Sequence, residues 1–269
     1  MLPSRLMFVL GLLALVTGCD RKPPTGPSTT SLAIAGPDAV LTGLSAGYSA
    51  TATASDGSTR TVTPTWTSSN PGVASVDGAG RLDGRAHGST TLTATFKGRS
   101  VSKTVQVVNN YEGTWKGRYV IRACDDSGIF EDGIYGGAYS DVPSCQGLDA
   151  IGTVHSISLA LSQFGSNYGE IRATLAGYGA PGDTITGIVT ADGRLNLAGR
   201  LKVLDHYGDP WGEWHLGEWD TNLDTSGQLT GRWAQNLTIV GQQGNLYQEA
   251  ELVTMTRMST SGLPVSPIH

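Results

Sequence analysis

The sequence has few charged residues and no run of basic residues. Only 15% of its 269 residues are Asp, Glu, Lys or Arg, and the formal net charge is −5. Because nucleic-acid binding depends on the neutralisation of phosphates, an acidic chain of this kind is a poor candidate for it. The one pronounced apolar stretch, residues 6–16, is too short to span a bilayer. We therefore expect neither a membrane-spanning helix nor a nucleic-acid partner.

Motifs of common active sites are also lacking. We find no Gly-x-Ser-x-Gly elbow, no phosphate-binding glycine loop before a helix and no His-Glu-x-x-His spacing. His155 adjoins Ser156, but neighbours in a strand face opposite sides and cannot pair. The sequence therefore predicts no catalytic residue, no metal and no cofactor, and we expect a non-enzymatic protein. A hydrolase in the second domain is an alternative, since a carboxylate pair is not recognisable without the fold.

The sequence begins with the features of a secretory signal. Arg5 precedes the apolar run, and small residues follow it at the expected cut site. The segment Val16-Thr-Gly-Cys19 resembles the lipobox of bacterial lipoproteins, in which the cysteine is lipidated and becomes the new N-terminus. This resemblance implies a signal peptide over residues 1–18 and a lipid, palmitate included, on Cys19. A secreted protein with a free Cys19 is the alternative.

Residues 19–30 follow as an anchor and tether. This segment has three prolines and no large apolar residue, so it cannot bury a core and should be extended and flexible. The lipobox resemblance implies attachment to a membrane through the lipid, and we expect the outer membrane. The periplasmic face of the inner membrane is the alternative, because Asp20 resembles the residue after the cysteine in lipoproteins that enteric bacteria retain there.

Residues 31–108 alternate between polar and apolar side chains. About seven short strands with turns between them predict a small β-sandwich. Four segments resemble the bacterial immunoglobulin-like group 2 family: Trp66-Thr-Ser-Ser-Asn-Pro-Gly-Val-Ala-Ser-Val76, Gly80-Arg-Leu82, Gly84-Arg-Ala-His-Gly88 and Thr91-Leu-Thr-Ala94. The resemblance implies an Ig-like sandwich, and such modules are mostly spacers and adhesion stalks. We interpret His87 as a turn residue rather than a ligand.

Residues 109–258 contain about eight strand-like runs joined mostly by short loops. This pattern predicts an antiparallel meander that closes into a β-barrel and leaves no exposed edge, with an open β-sandwich as the alternative. The segment Gly113-Thr-Trp115 resembles the Gly-x-Trp start of lipocalin and avidin barrels. The predicted fold class is all-β, an Ig-like sandwich followed by a barrel, with a flexible tail over residues 259–269.

Three cysteines occur in the chain. If Cys19 is lipidated, Cys124 and Cys145 remain as an even pair in an oxidising compartment. We predict a disulfide between them, with two buried free thiols as the alternative. Closing a loop of about 20 residues contributes roughly 3 kcal/mol in the chain-entropy model.

Residues 205–220 hold the richest combination of chemical groups. The segment contains two histidines, five carboxylates and three tryptophans. Alternation puts Glu213 and His215 on one face, where they could take part in a metal site, although we favour an exposed loop and edge. Exposed tryptophans suit sugar faces and protein hot spots. The candidate ligand contacts are therefore Trp211, Trp214, His215 and Trp219. Alternation also puts Trp214 on the face opposite to Trp211 and Trp219.

A second candidate is the acidic stretch at residues 125–133. Clustered carboxylates with glycine could bind calcium, but the stretch does not fit the EF-hand pattern, and we favour a solvated loop.

These patterns predict a non-enzymatic cell-envelope lipoprotein. Its Ig-like domain would act as a spacer that displays the barrel for adhesion or for binding glycan or protein. The alternative is a lipocalin-like carrier of a small apolar ligand, with Trp115 and Trp233 facing the barrel interior. An empty interior would favour the carrier, and a filled one would favour display.

Overall fold

The computed structural model describes residues 26–128, 130, 144–146, 150–176, 180, 182–204 and 207–258. Within these residues every regular element is a β-strand, so the predicted all-β class is confirmed. In this part of the chain, no helix is long and apolar enough to cross a membrane. The predicted signal peptide, Cys19, most of the tether and the tail lie outside the described residues.

The N-terminal domain is a β-sandwich of ten short strands. They are β1 (Thr29–Ala35), β2 (Ala39–Leu41), β3 (Ser45–Gly47), β4 (Ser49–Ala54), β5 (Thr59–Val62), β6 (Thr65–Ser68), β7 (Ala74–Val76), β8 (Arg81–Gly84), β9 (Gly88–Phe96) and β10 (Arg99–Val108). The sheets have the orders β1-β4-β5, β2-β10-β9-β6 and β3-β8-β7. The β2–β10 pair is parallel, and the other pairs are antiparallel.

The core of this domain follows from period-2 alternation. In β9, Thr90, Leu92 and Ala94 are buried, while the residues between them are only partly buried. Trp66 supplies the large apolar group of the core. Gly80 makes room for it: its φ is +85°, and a Cβ there would lie 2.3 Å from the Tyr48 carbonyl oxygen and 3.0 Å from Trp66 Nε1. Only glycine fits this close approach without strain.

The C-terminal domain is a closed antiparallel barrel of eight strands in sequence order, as predicted. The strands are β11 (Gly113–Gly128), β12 (Val154–Phe164), β13 (Glu170–Ala176), β14 (Ile185–Val189), β15 (Leu195–Leu204), β16 (Pro210–Leu223), β17 (Leu229–Ile239) and β18 (Gly244–Arg257). The ladder closes where β18 pairs with β11. Closure removes the two edges that an open sheet would expose.

Apolar side chains fill the described interior of the barrel. Trp115 and Trp233 both lie inside, and the Trp233 ring stacks on Trp219 with 4.4 Å between ring centroids. Tyr119 packs edge-on against Trp233 at 5.0 Å. Leucine, isoleucine and alanine side chains from the surrounding strands occupy the space around these rings. The described side chains at the centre of the barrel thus form a packed core.

One end of the barrel has a smaller cluster next to the disulfide. Cys124 and Cys145 form the predicted bridge, with 5.5 Å between their Cα atoms. Phe130 is fully buried in this cluster. Two buried glutamines are linked there: Gln235 Nε2 donates to Gln248 Oε1 at 2.8 Å. Because these buried amides have hydrogen-bond partners, they do not carry the cost of unpaired polar groups.

The segment between the domains is bonded to both of them. The Asn110 amide donates to Thr42 Oγ1 of the Ig-like domain at 3.0 Å, and its carbonyl accepts from the Arg257 guanidinium of the barrel. Tyr111 is fully buried, and burial raises the pKa of its hydroxyl to about 12. That hydroxyl donates to the Gly193 carbonyl at 2.6 Å. The connection is therefore part of the folded structure.

A hairpin turn of the barrel also contacts the Ig-like domain directly. His87 Nε2 lies 3.0 Å from the Ala191 carbonyl oxygen, and Asn109 Nδ2 donates to the Gly193 carbonyl at 2.9 Å. Gly193 has a φ of +85°, and a Cβ there would lie 2.8 Å from His87 Cγ. His87, expected to be a turn residue rather than a ligand, forms part of the domain junction.

Candidate functional site

A β-bulge in β16 determines which side chains of the candidate segment face outward. Opposite β17, the pairing shifts between Gly217 and Asp220, so two residues of β16 face one residue of its neighbour. Glu218 adopts a left-handed backbone with a φ of +49°. Such an extra residue reverses the alternation of the strand beyond it.

The bulge explains where the sequence-based prediction failed. Trp214 packs against the interior core, and alternation alone put Trp219 on the opposite face. Beyond the bulge, however, Trp219 also faces inward, and the residue is only 2% exposed. Its Nε1 donates to Thr221 Oγ1 at 3.1 Å. The expectation that Trp219 is an exposed side chain is therefore wrong.

The other predicted contacts lie near the disulfide end of the barrel. Trp211 and Trp214 are half-buried and pack against the small cluster there. His215 Nε2 lies 3.1 Å from Glu213 Oε2, so the predicted same-face pair is formed. Glu213 also contacts the Arg200 guanidinium at 3.4 Å. The described residues include no group of three or more His, Cys, Asp or Glu suited to a metal ion.

The acidic stretch is only partly described. Asp126 Oδ2 accepts a hydrogen bond from the Cys145 amide at 2.6 Å, so this carboxylate is bonded to the disulfide loop. Glu131 and Asp132 lie outside the described residues, as does His206 of the histidine-rich segment.

Sequence reasoning missed a cleft on the outer wall of the barrel at the bulge, which we call the bulge cleft. It has a volume of about 580 Å³. Its polar lining comes from Thr190, Asp192, Arg194, Asn196, Glu218, Asp220, Arg232 and Glu249, with Trp219, Trp233 and Ala234 as the apolar part. A second cleft of about 410 Å³ shares Arg232 and Glu249 with it. The two clefts thus adjoin along the wall.

The pairing register of the strands explains how residues that are far apart in the sequence meet in these clefts. Asn196 pairs with Asp220, Asp220 with Arg232, and Arg232 with Glu251 across four successive strands. Residues in register on one face lie side by side, so these side chains form one row across the outer wall. No local sequence motif could reveal the row, because its members come from four separate strands.

Both carboxylates of the row form ion pairs with arginines that lie outside it. Asp220 binds the Arg194 guanidinium, and this hydrogen bond raises the pKa of Arg194. Glu251 pairs with Arg122 at 2.5 Å. Both register neighbours of Arg232 are thus engaged with other arginines, and Arg232 makes no ion pair with any residue that the structure describes. Arg232 borders both clefts.

Carboxylates lie on the other sides of the bulge cleft. Glu249 Oε1 accepts from the Tyr247 hydroxyl at 3.0 Å. The pKa of Tyr247 is raised by burial first, then by Glu249, with a further contribution from the Glu218 charge. Four carboxylates and two guanidinium groups line the cleft, so its formal charge is −2. The cleft therefore offers hydrogen-bond donors and acceptors while opposing a strongly anionic ligand.

Comparison with known families supports the identity of the N-terminal domain. Residues 30–108 match the model of the bacterial Ig-like domain, group 2, which confirms that part of the sequence prediction. No curated protein matches the chain.

Two structures of the surface layer protein SbsC overlap with much of the chain. The structure of domains 4–9 has a TM-score of 0.29 and 14% identity, covering 83% of this chain and 31% of that one. The structure of domains 5–6 has a TM-score of 0.27 and 15% identity, covering 83% and 97%. This chain thus spans about a third of the first structure. Similarity this low carries no argument about function.

Proposed function

We propose that this chain, whose residues 30–108 form a bacterial Ig-like domain of group 2, is a lipoprotein of the cell envelope. The Ig-like domain acts as a spacer, and the barrel is displayed for adhesion or for binding glycan or protein. Lipidated Cys19 anchors the chain to the outer membrane, with the periplasmic face of the inner membrane as the alternative. The segment after it serves as a tether.

The fixed junction between the domains is the observation that carries this proposal. Asn110 is bonded on one side to the Ig-like domain and on the other to the barrel. Gln163 also holds the connection: its Oε1 accepts from the Tyr111 amide and its Nε2 donates to the Asn109 carbonyl, both at 3.0 Å. A spacer coupled in this way holds its cargo in one orientation, whereas a flexible linker would let it swing.

The packed interior favours display over transport. A carrier needs a cavity to enclose its ligand, but the tryptophans expected to line it, Trp115 and Trp233, are 1% and 2% exposed and pack against other core residues. The outer wall, in contrast, has two adjoining clefts. We therefore place the binding surface outside the barrel and propose that the protein is not an enzyme.

Acylation and location are tested in a bacterial host with an alkyne analogue of palmitate. The full chain should incorporate the label and sediment with membranes, and Cys19→Ala should lose both properties because no thiol remains to acylate. Asp20→Ser is the matched control, which should keep the label and at most change the membrane that holds the protein. Equal labelling of the full chain and Cys19→Ala would refute a lipid on Cys19.

The non-enzymatic part of the proposal has its own test. Folded protein without its signal peptide is incubated with a broad panel of glycosides and esters, and no turnover above background is expected. Reproducible hydrolysis that survives repurification would refute it.

A further inference from the structure

We propose that the bulge cleft binds a neutral oligosaccharide through its hydroxyl groups. This inference rests on the proposed display function and deepens it, because it names the binding surface and the class of ligand. Arg232, Glu218 and Glu249 are the principal contacts, with Asn196 as a further one.

The dimensions of the clefts suit a ligand of several sugar units. Small-molecule sites are typically clefts of about 300–1,000 Å³, and the bulge cleft alone has about 580 Å³. The second cleft adds about 410 Å³ and continues from it at Arg232 and Glu249. A chain of sugars can follow this path along the wall, with Arg232 where the two clefts meet.

The chemistry of the lining matches hydroxyl groups. The guanidinium of Arg232 presents several N–H donors in a planar fork and accepts nothing, while the carboxylates of Glu218 and Glu249 only accept. A hydroxyl does both, so neighbouring hydroxyls of a sugar can accept from Arg232 and donate to a carboxylate. The Asn196 side chain adds a donor and an acceptor. A polyhydroxylated ligand can thus satisfy groups of both kinds in the cleft.

The net charge of the cleft argues against an anionic ligand, and the local charge of Arg232 argues against a basic one. A formal charge of −2 opposes a phosphorylated, sulfated or carboxylated ligand. A basic peptide would gain from that charge but would have to lie against Arg232, the one arginine of the row whose register neighbours are both paired elsewhere. A neutral ligand is repelled neither by the net negative charge of the cleft nor by the positive charge of Arg232.

The backbone at Glu218 provides a second, independent observation. Bulges are frequent next to binding sites, where they redirect a side chain. A left-handed φ of +49° raises the conformational free energy of a glutamate but not that of a glycine. Here a strained residue supplies a carboxylate to the cleft, which is the arrangement expected where the side chain has a role in binding.

The test uses the full chain without its signal peptide on an array of neutral oligosaccharides, with sialylated and sulfated glycans as anionic comparators. We expect binding to neutral glycans, followed by titration calorimetry on the best ligand. Arg232→Gln and Glu218→Gly should each weaken that binding by roughly tenfold or more, because each removes a charge-assisted hydrogen bond. Arg200→Gln is the matched control: it removes an exposed arginine of the same barrel outside the cleft, and its affinity should stay within about twofold.

Salt dependence separates the ligand classes. Binding of a neutral glycan should change by less than about twofold between 50 and 500 mM NaCl, because no net charge of the ligand is screened. Three results would overturn the inference: no neutral glycan bound by folded protein, full affinity in Arg232→Gln, or an affinity for the best ligand that falls steeply as the salt concentration rises.

Failure of this inference is distinguishable from failure of the display function. If wild type and Arg232→Gln adhere equally to host or bacterial surfaces, display stands and the cleft is not the contact. If wild type fails to label with lipid but binds neutral glycans through Arg232, the anchor is wrong and the cleft assignment stands.

Discussion

The backbone of Glu218 leads to a stability prediction that separates conformation from side-chain chemistry. A left-handed conformation costs an L-residue about 1–2 kcal/mol, and glycine escapes this cost. Glycine also makes the unfolded chain more flexible, which reduces this gain in folding stability by about 0.5–1 kcal/mol. Because Glu218 has a φ of +49° and an exposed side chain, little packing is lost on substitution. Glu218→Gly should therefore stabilise the barrel by about 0.5–1 kcal/mol.

A series of three substitutions at Glu218 tests this prediction more stringently. Asparagine tolerates the left-handed region better than alanine does, so stability should rise in the order Glu218→Ala, Glu218→Asn, Glu218→Gly. For a domain of this size the glycine variant should raise Tm by roughly 1–4 °C, measured by calorimetry of the barrel transition and by urea unfolding. Equal stability of the alanine and glycine variants, or a loss in the glycine variant, would refute a strained bulge. Glycan binding should be weakened by roughly tenfold or more in all three, whatever their stability.

Three further predictions follow from contacts elsewhere in the chain. The double variant Cys124→Ser/Cys145→Ser should lose roughly 3 kcal/mol in urea unfolding of the barrel, and an unchanged midpoint would show that the bridge adds nothing. Gly193→Ala should loosen the junction, because its Cβ would lie 2.8 Å from His87 Cγ; a wider distribution of shapes in small-angle scattering is expected, and an unchanged profile would contradict the contact. Asp224 accepts hydrogen bonds from the Ser226 hydroxyl and amide, which hold its pKa below 3.8. Its contribution to stability is therefore present above its unfolded pKa and lost as the pH falls through the lower folded pKa, and NMR titration giving a value at or above 3.8 would refute this.

The barrel was predictable because its pattern is local. In β13, Ile171, Ala173 and Leu175 are buried and alternate with exposed residues, so the sequence alone shows which face packs inward. Turns such as Asp192-Gly193 mark where strands end. Eight such runs with mostly short connections leave few topologies other than a meander.

The binding surface was not predictable for two physical reasons. The bulge reverses the alternation of β16 at Glu218, so that Trp219 faces inward. The sequence does not reveal this, because the left-handed residue is a glutamate rather than a glycine. Arg232 gains its significance only from the register that places Asp220 and Glu251 beside it and pairs both with other arginines. Pairing register between strands is a tertiary property that one-dimensional patterns do not contain.

The most direct test of the account measures whether the Ig-like domain holds the barrel in one orientation. Spin labels are placed at Arg99→Cys in the Ig-like domain and at Thr174→Cys in the barrel, both exposed strand positions, with Cys19→Ala to prevent labelling at the anchor. Pulsed dipolar spectroscopy on this chain should give one narrow distance distribution, because the junction is bonded to both domains. A broad distribution, like that of two domains on a flexible linker, would contradict a rigid spacer.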